Sequence, residues 1–229
     1  MSSLKLGLDL IFGMPGQSIT SWKKALEQVT RLEPDHLSCY QLSIEEGTPL
    51  CRSVTRGQVV PVSEELEADF FFLTHETLES KGFDHYEVSN YAASEDDYAL
   101  HNTKYWFRAP YVGFGAGAHS FIGGQRLWNH SRREEYCQSI AREQLARFES
   151  ELITDKTAAI ERIILGFRTR WGFDRSEIPV TPALERLLQS YQERDLVNVS
   201  IDRVVPTVKG LALADPLSTE ILNVSGLIT

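Results

Sequence analysis

Cysteine is scarce in this chain of 229 residues: there are three, Cys39, Cys51 and Cys137, an odd number with wide gaps between them. Such spacing fits a reducing compartment rather than a disulfide framework. It also excludes the usual cradle for iron and sulfur, in which several thiolates come from one short loop. Basic charge is in deficit, with 23 Lys and Arg against 32 Asp and Glu and a formal net charge of −9. Nucleic acids and anionic membrane surfaces are held by basic stripes, so neither is expected as a general partner. No apolar run approaches the roughly 18 residues of a membrane span. The opening Met1-Ser2-Ser3-Leu4-Lys5 lacks the hydrophobic stretch of a signal peptide. A cytoplasmic location is the expectation. There is no Gly-Lys-Ser/Thr phosphate loop and no nucleophile elbow, and the pairs Glu64-Glu65 and Glu134-Glu135 read as solvated helix faces.

What is present has the periodicity of an α/β protein. Residues 6–12 are nearly all apolar and end at Gly13 and Pro15-Gly16, the pattern of a strand buried on both faces and broken by a turn. Trp22, Ala25, Leu26, Val29 and Leu32 then recur at helical steps, with Ser18 or Thr20 as the cap. After Pro34-Asp35, residues 37–44 read as a second strand, which makes the unit a right-handed parallel crossover. Residues 50–62 read as turns and polar connections. Ser63 opens a helix with Glu64, Glu65 and Glu67 at the positive end of its dipole and Lys81-Gly82 at its close. Residues 83–130, rich in aromatics and glycine, read as short strands and loops that cover something.

From about residue 131 the chain reads as helical and more polar. Thr154 caps one helix, Thr181-Pro182 starts another, residues 196–200 and 203–208 form a hairpin, and a short helix begins at Lys209-Gly210. Helix, helix and hairpin suggest a winged-helix-like tail, while Glu185, Glu193 and Asp195 speak against DNA as its partner.

Several polar residues stand out against this frame. Asp9 interrupts an apolar strand, where an unpaired carboxylate is costly, so a partner is expected near the strand's C-terminal end. That end carries the active site in parallel barrels. A ligand contact and a hydrogen bond to the following loop are both open. Ser43, Glu45 and Gly47-Thr48-Pro49 mark the end of the second strand. The run His101-Asn102-Thr103-Lys104-Tyr105-Trp106 places an imidazole, a good axial iron ligand, near flat rings that can pack on a porphyrin. A histidine satisfied within its own surroundings is the alternative. His119 and His130 are secondary candidates, and a trio with His101 lacks zinc-site spacing.

Leu8-Asp9-Leu10-Ile11-Phe12-Gly13-Met14-Pro15-Gly16-Gln17, Tyr86 to Ala92, the 101–106 run and Gly113 to Ser120 together resemble the HemW branch of the radical S-adenosylmethionine proteins. These are relatives of oxygen-independent coproporphyrinogen oxidase, which carries a different sequence at the 101–106 position. The resemblance implies that Asp9 and Ser43 border S-adenosylmethionine, that His101 is the candidate heme-iron ligand, and that Tyr105 and Trp106 pack on the heme. The family builds a [4Fe–4S] cluster on a Cys-x3-Cys-x2-Cys loop before the Asp-Leu-Ile strand, and this chain begins at that strand. The expectation is a C-terminal part that cannot assemble the cluster or perform the radical step alone.

The implied fold is α/β: the C-terminal portion of a partial β/α radical SAM barrel in residues 1–83, a HemW-type heme-covering segment in 84–150, and a winged-helix-like tail in 151–229. The implied function is heme binding and delivery to heme-accepting proteins. An oxygen-independent coproporphyrinogen oxidase and a non-catalytic assembly module are the alternatives. A strand at residues 6–12 without a barrel neighbour has a bare edge, so association with a missing N-terminal half or with another copy is expected.

Overall fold

The computed structural model describes residues 4–142, 144 and 146–228; residues 1–3 of the opening segment lie outside them. Among the described residues the strands form three sheets. The first contains β1 (Gly7–Phe12), β2 (His36–Gln41), β3 (Asp84–Glu87) and β4 (Asn90–Ala92) in the order β1-β2-β4-β3. β1 and β2 run parallel, joined by α1 (Ile19–Thr30), while β4 is antiparallel to both of its neighbours. The turn after β1 needs left-handed backbone at Gly13 and Gly16, with φ of 77° and 78°, a region glycine enters without steric cost. Ser18 then caps α1 in a reciprocal arrangement with Ser21.

Side chains alternate across this sheet, so each face has its own chemistry. The outer face presents Leu37, Cys39, Tyr91 and Phe12, which pack with Trp22 and Leu26 of α1 and with Phe70 and Leu78 of α3 (Glu64–Glu79). Trp22 Nε1 donates to Thr74 Oγ1 at 2.8 Å, which satisfies the one polar atom of that large buried ring. Residues 50–62 are not all turn, because α2 (Pro49–Thr55) runs into them, capped by Thr48 with Pro49 in its first turn.

The second sheet is an antiparallel meander of β5 (His119–Ile122), β6 (Gln125–Asn129) and β7 (Arg147–Leu152), with α5 (Arg133–Ala141) between the last two. β7 corrects the helical reading of the chain beyond residue 131. Between the first two sheets lies α4 (Leu100–Trp106), so the 101–106 run is helical where loops and strands were expected. Among the described residues α4 has no N-cap side chain of its own, and the pattern that reveals other helices is missing there.

The tail contains α6 (Asp155–Gly166), β8 (Phe173–Asp174), α7 (Pro182–Glu193), the hairpin β9 (Val197–Val199) and β10 (Arg203–Pro206), α8 (Val208–Ala212) and α9 (Ala214–Val224). Thr154 and Thr181 cap α6 and α7 as expected, and β10 pairs with both β8 and β9. Ile163, Phe167, Leu184, Leu188, Tyr191 and Ile221 form a separate buried core. The first sheet continues through Ala92, past the expected boundary at residue 83, and is stitched to the tail. Val88 N donates to Arg168 O at 2.9 Å, and Arg170 N to Tyr86 O at 3.1 Å. Among the described residues no helix is long and apolar enough to cross a membrane.

Candidate functional site

The inner face of the first sheet carries a polar row. Asp9 pairs with Ser38, Ser38 with Asn90, and Asn90 with Glu87, so one residue from each strand lies on the same line across the sheet. Ser38, Asn90 and Glu87 are buried, whereas Asp9 is exposed. The carboxylate partner expected for Asp9 is absent among the described residues. β1 is the sheet's edge and the face before it is open, so the charge is hydrated rather than paired. Ile11 and Tyr40, which pair one step along, are 52% and 40% exposed and add apolar area beside it. Ser43 is exposed beyond the end of β2, in a shallow groove shared with Tyr40, Gln41, Ser89 and Arg168.

The far end of this face supports α4. His36 Nε2 lies 2.7 Å from Tyr86 Oη, and burial lowers the His36 pKa. Ala99 N donates to that same phenol oxygen at 3.1 Å, in place of a conventional cap. The Tyr98 ring stacks on Tyr86 with centroids 4.2 Å apart, and both Tyr98 Oη and Arg170 donate to Asp84. The start of α4 is therefore fixed by β3.

On α4, His101 is exposed and Tyr105 half-buried, and Tyr105 Oη lies 3.2 Å from His101 Nε2. Helical spacing brings these two side chains together and sends Trp106 elsewhere. Trp106 lines a cleft against the tail with Phe107, Thr169, Phe173 and Arg203, and its buried indole N–H has no partner among the described residues. Tyr105 and Trp106 thus line different clefts on the two sides of α4. Leu100, the first residue of the helix, and Phe107, just past its end, remain 80% and 58% exposed.

The end of α4 is held from the other side. Arg108 adopts φ of 52°, and its Nε donates to Glu161 Oε2 at 2.7 Å. Arg126 donates to the other oxygen of Glu161 and, at 3.1 Å, to Glu151. Tyr105, Arg108, Tyr111, Phe121, Arg126 and Glu161 enclose a cavity of about 230 Å³ beside the helix. Sequence reasoning did not single out Glu87, Asn90, Tyr111, Arg108 or Glu161. Only the Tyr86 to Ala92 motif pointed towards the first two.

The remaining candidates do not converge. His119 packs on Trp128 across the β5–β6 pair, and His130 lies 3.5 Å from Glu135. Among the described residues no group of three His, Cys, Asp or Glu side chains is arranged to hold a metal ion. The thiols lie on three separate elements: Cys39 on the outer face of β2, Cys51 in α2 and Cys137 in α5. Burial pushes the Cys39 thiol up to about 12, which disfavours the thiolate a metal requires. These residues do not fit an iron–sulfur cluster.

No family model matches the chain. Among curated proteins, Heme chaperone HemW of Mycobacterium tuberculosis (strain ATCC 25618 / H37Rv) is 30% identical over 218 residues, covering 95% of this chain and 55% of that protein. Radical S-adenosyl methionine domain-containing protein 1, mitochondrial, of Danio rerio is 38% identical over 115 residues, covering 50% of this chain and 26% of its own length. The chain is similar to the HemW-like radical SAM proteins over nearly its whole length. The solved structure of coproporphyrinogen III oxidase (HemN) from Escherichia coli, a radical SAM enzyme, superposes with a TM-score of 0.70 at 20% identity. It covers 93% of this chain and 54% of that one, and it establishes that the HemW-like chain has the radical SAM fold type. Matched over almost all of its own length, the chain spans little more than half the length of these curated HemW relatives.

Proposed function

We propose that this HemW-like chain binds heme on α4, and that the protein passes heme to acceptor proteins. The observation that carries the reading is the exposed His101 imidazole beside the Tyr105 phenol, two groups able to bind iron on one helical turn. Leu100, largely exposed on the same short helix, supplies apolar surface for a macrocycle. The relatives named heme chaperones support the delivery role.

Asp9 and Ser43 are the residues proposed to hold S-adenosylmethionine. Asp9 offers a hydrated carboxylate to hydroxyl or amino groups, and Ile11 and Tyr40 offer flanking apolar area. When bound beside a cluster, that cofactor supplies radical chemistry in radical SAM proteins. The three thiols here fit no such cluster, so no step of the proposed function runs through it. The bare edge of β1 is the proposed place for further chain, from an N-terminal half or a second copy, to pair.

Titration of hemin into the purified chain tests the reading. A saturable Soret band that weakens when His101 is replaced by Ala is the expected outcome. Absence of a complex rejects the heme reading, and decarboxylation of coproporphyrinogen by the chain would favour the oxidase alternative.

A further inference from the structure

A cavity of about 600 Å³ lies where α3 meets the tail, against 230 Å³ for the one beside α4. Small-molecule sites commonly span roughly 300–1,000 Å³ and favour such junctions between units. None of the residues proposed to hold heme or S-adenosylmethionine lines it. Its Gln41 wall stands opposite Phe12 in the β1–β2 register, and Phe12 belongs to the core under α1 and α3. The cavity is therefore on the side of the first sheet turned away from Asp9.

Its walls are fixed. Leu211 of α8 is 4% exposed and packs into the same core as Phe70 and Phe71, which locks the tail wall to α3. Thr207 N donates to Leu196 O at 3.0 Å, and a Cβ on Gly210 would come within 2.0 Å of that oxygen. α8 can approach Leu196 this closely only through glycine. Phe71, Phe72, Val88, Leu196, Leu211 and Leu213 make the interior mainly apolar, with Phe72 edge-on to Phe71 at 5.6 Å.

The rim carries negative charge. Glu64 and Glu67, three residues apart in the first turn of α3, both line the cavity, Glu64 exposed and Glu67 half-buried. Neither carboxylate has an ion-pair partner among the described residues. The helix dipole offsets only roughly half an elementary charge at that end, so two carboxylates leave the rim negative. Lys209 on the tail side does not cancel them, because Asp195 holds its ammonium at 2.9 Å. Apolar walls below a negative rim complement a molecule with an apolar body and a cationic end.

We propose that this cavity binds a small organic cation, an amine whose ammonium sits between Glu64 and Glu67 and whose apolar body packs on Phe71, Phe72 and Leu211. The site is independent of heme, and it stands or falls without the heme reading.

Dansylcadaverine, an aromatic body on an alkyl chain that ends in a primary ammonium, is the test compound. Its emission brightens and shifts to the blue when the ring system leaves water. Titration with the full 229-residue chain should give a saturable blue-shifted signal. The N-acetylated compound, with the same body and no charge, should bind about 3- to 30-fold more weakly, the range that two solvent-accessible ion pairs supply. Glu64→Gln combined with Glu67→Gln should weaken the amine by a similar factor and leave the acetylated compound unchanged. Ala68→Trp, which fills the cavity from α3, should abolish binding of both compounds. Circular dichroism melting checks that this variant folds, and Leu213→Trp fills the cavity from the tail side if it does not. His101→Ala should leave amine binding unchanged, so a failure of hemin binding and a failure of amine binding are read separately. Absence of saturable amine binding overturns the proposal. So does equal affinity for the charged and acetylated compounds, or undiminished binding by a folded variant with the cavity filled.

Discussion

Glu87 and Asn90 stand opposite each other across the β3–β4 hairpin, both almost fully buried, with no ion-pair partner for the carboxylate and no donor for the amide oxygen among the described residues. Burial pushes the Glu87 carboxyl up to about 7, against smaller opposing contributions from the Asn90 side chain and the Ser89 amide. As a neutral acid, Glu87 carries the kind of donor that the Asn90 oxygen lacks.

A pH-dependent stability follows. Between the ordinary value of 4.5 and about 7 the folded chain holds a proton that the unfolded chain releases, so stability falls as pH rises through that window and levels off above it. The full effect is at most roughly 3 kcal/mol, from the size of the shift at about 1.4 kcal/mol per pH unit. Glu87→Gln keeps the shape and removes the proton. Urea unfolding across this range should show a flatter profile and a gain over the native chain above pH 7. A difference between the two chains that does not vary with pH would refute the assignment.

His85 acts in the opposite direction. It lies on the outer face, stacked on Tyr91 with ring centroids 4.1 Å apart and with its Nδ1 3.2 Å from His75 Nδ1. Burial, followed by the repulsion of His75, pushes its pKa down to about 3 from 6.5. The unfolded chain therefore takes up a proton first, and stability is lost as pH falls from 6.5 towards 3. His85→Phe keeps a ring on Tyr91 and should remove this acid-side loss. Thermal melting from pH 3 to pH 7 measures it, and an unchanged acid limb would count against the buried neutral imidazole.

The sequence made the parallel β1-α1-β2 unit legible because its signals are local: an apolar run, a glycine turn and a serine cap. The helix–helix–hairpin order of the tail was legible for the same reason, with Thr154 and Thr181 in plain view. α4 was not, since its start is secured by the Tyr86 phenol from a distant strand. Asp9 looked buried because its neighbours in the chain are apolar, although the bare edge expected of its strand already allowed for an open carboxylate. The 101–106 run was legible as a motif, but the division that puts His101 and Tyr105 together and Trp106 against the tail needs the helix. Glu161 was unreadable as a site residue because it lies 53 positions from the arginine it holds.

That arginine contact should matter for the helix bearing the motif. Arg108 and Glu161 have side chains only 12% and 20% exposed, and Arg108 sits in left-handed backbone that a non-glycine residue adopts at a cost. Glu161→Ala leaves Arg108 and Arg126 without their shared acceptor. The expected loss is about 1–3 kcal/mol in urea unfolding, the usual cost of orphaning a partly buried charged donor. Hydrogen exchange of the amides from residue 99 to 108 should speed up relative to those in α7. Uniform exchange changes, or none, would show that the ion network does not restrain α4.

The free side of β1 sets the behaviour of the chain in concentrated solution. Among the described residues only β2 pairs with β1, so the other edge presents unbonded amides and carbonyls. Leu6 and Ile11 beside that edge are 40% and 52% exposed, with no β-bulge in the β1–β2 register. A flat, apolar edge is a template for strand addition. The chain should therefore associate as its concentration rises, and Ile11→Lys should reduce association without lowering the melting temperature, because the substituted side chain projects from an open face. Sedimentation velocity over a concentration series reads both. A monodisperse native monomer at every concentration would mean that the edge is protected by something other than pairing.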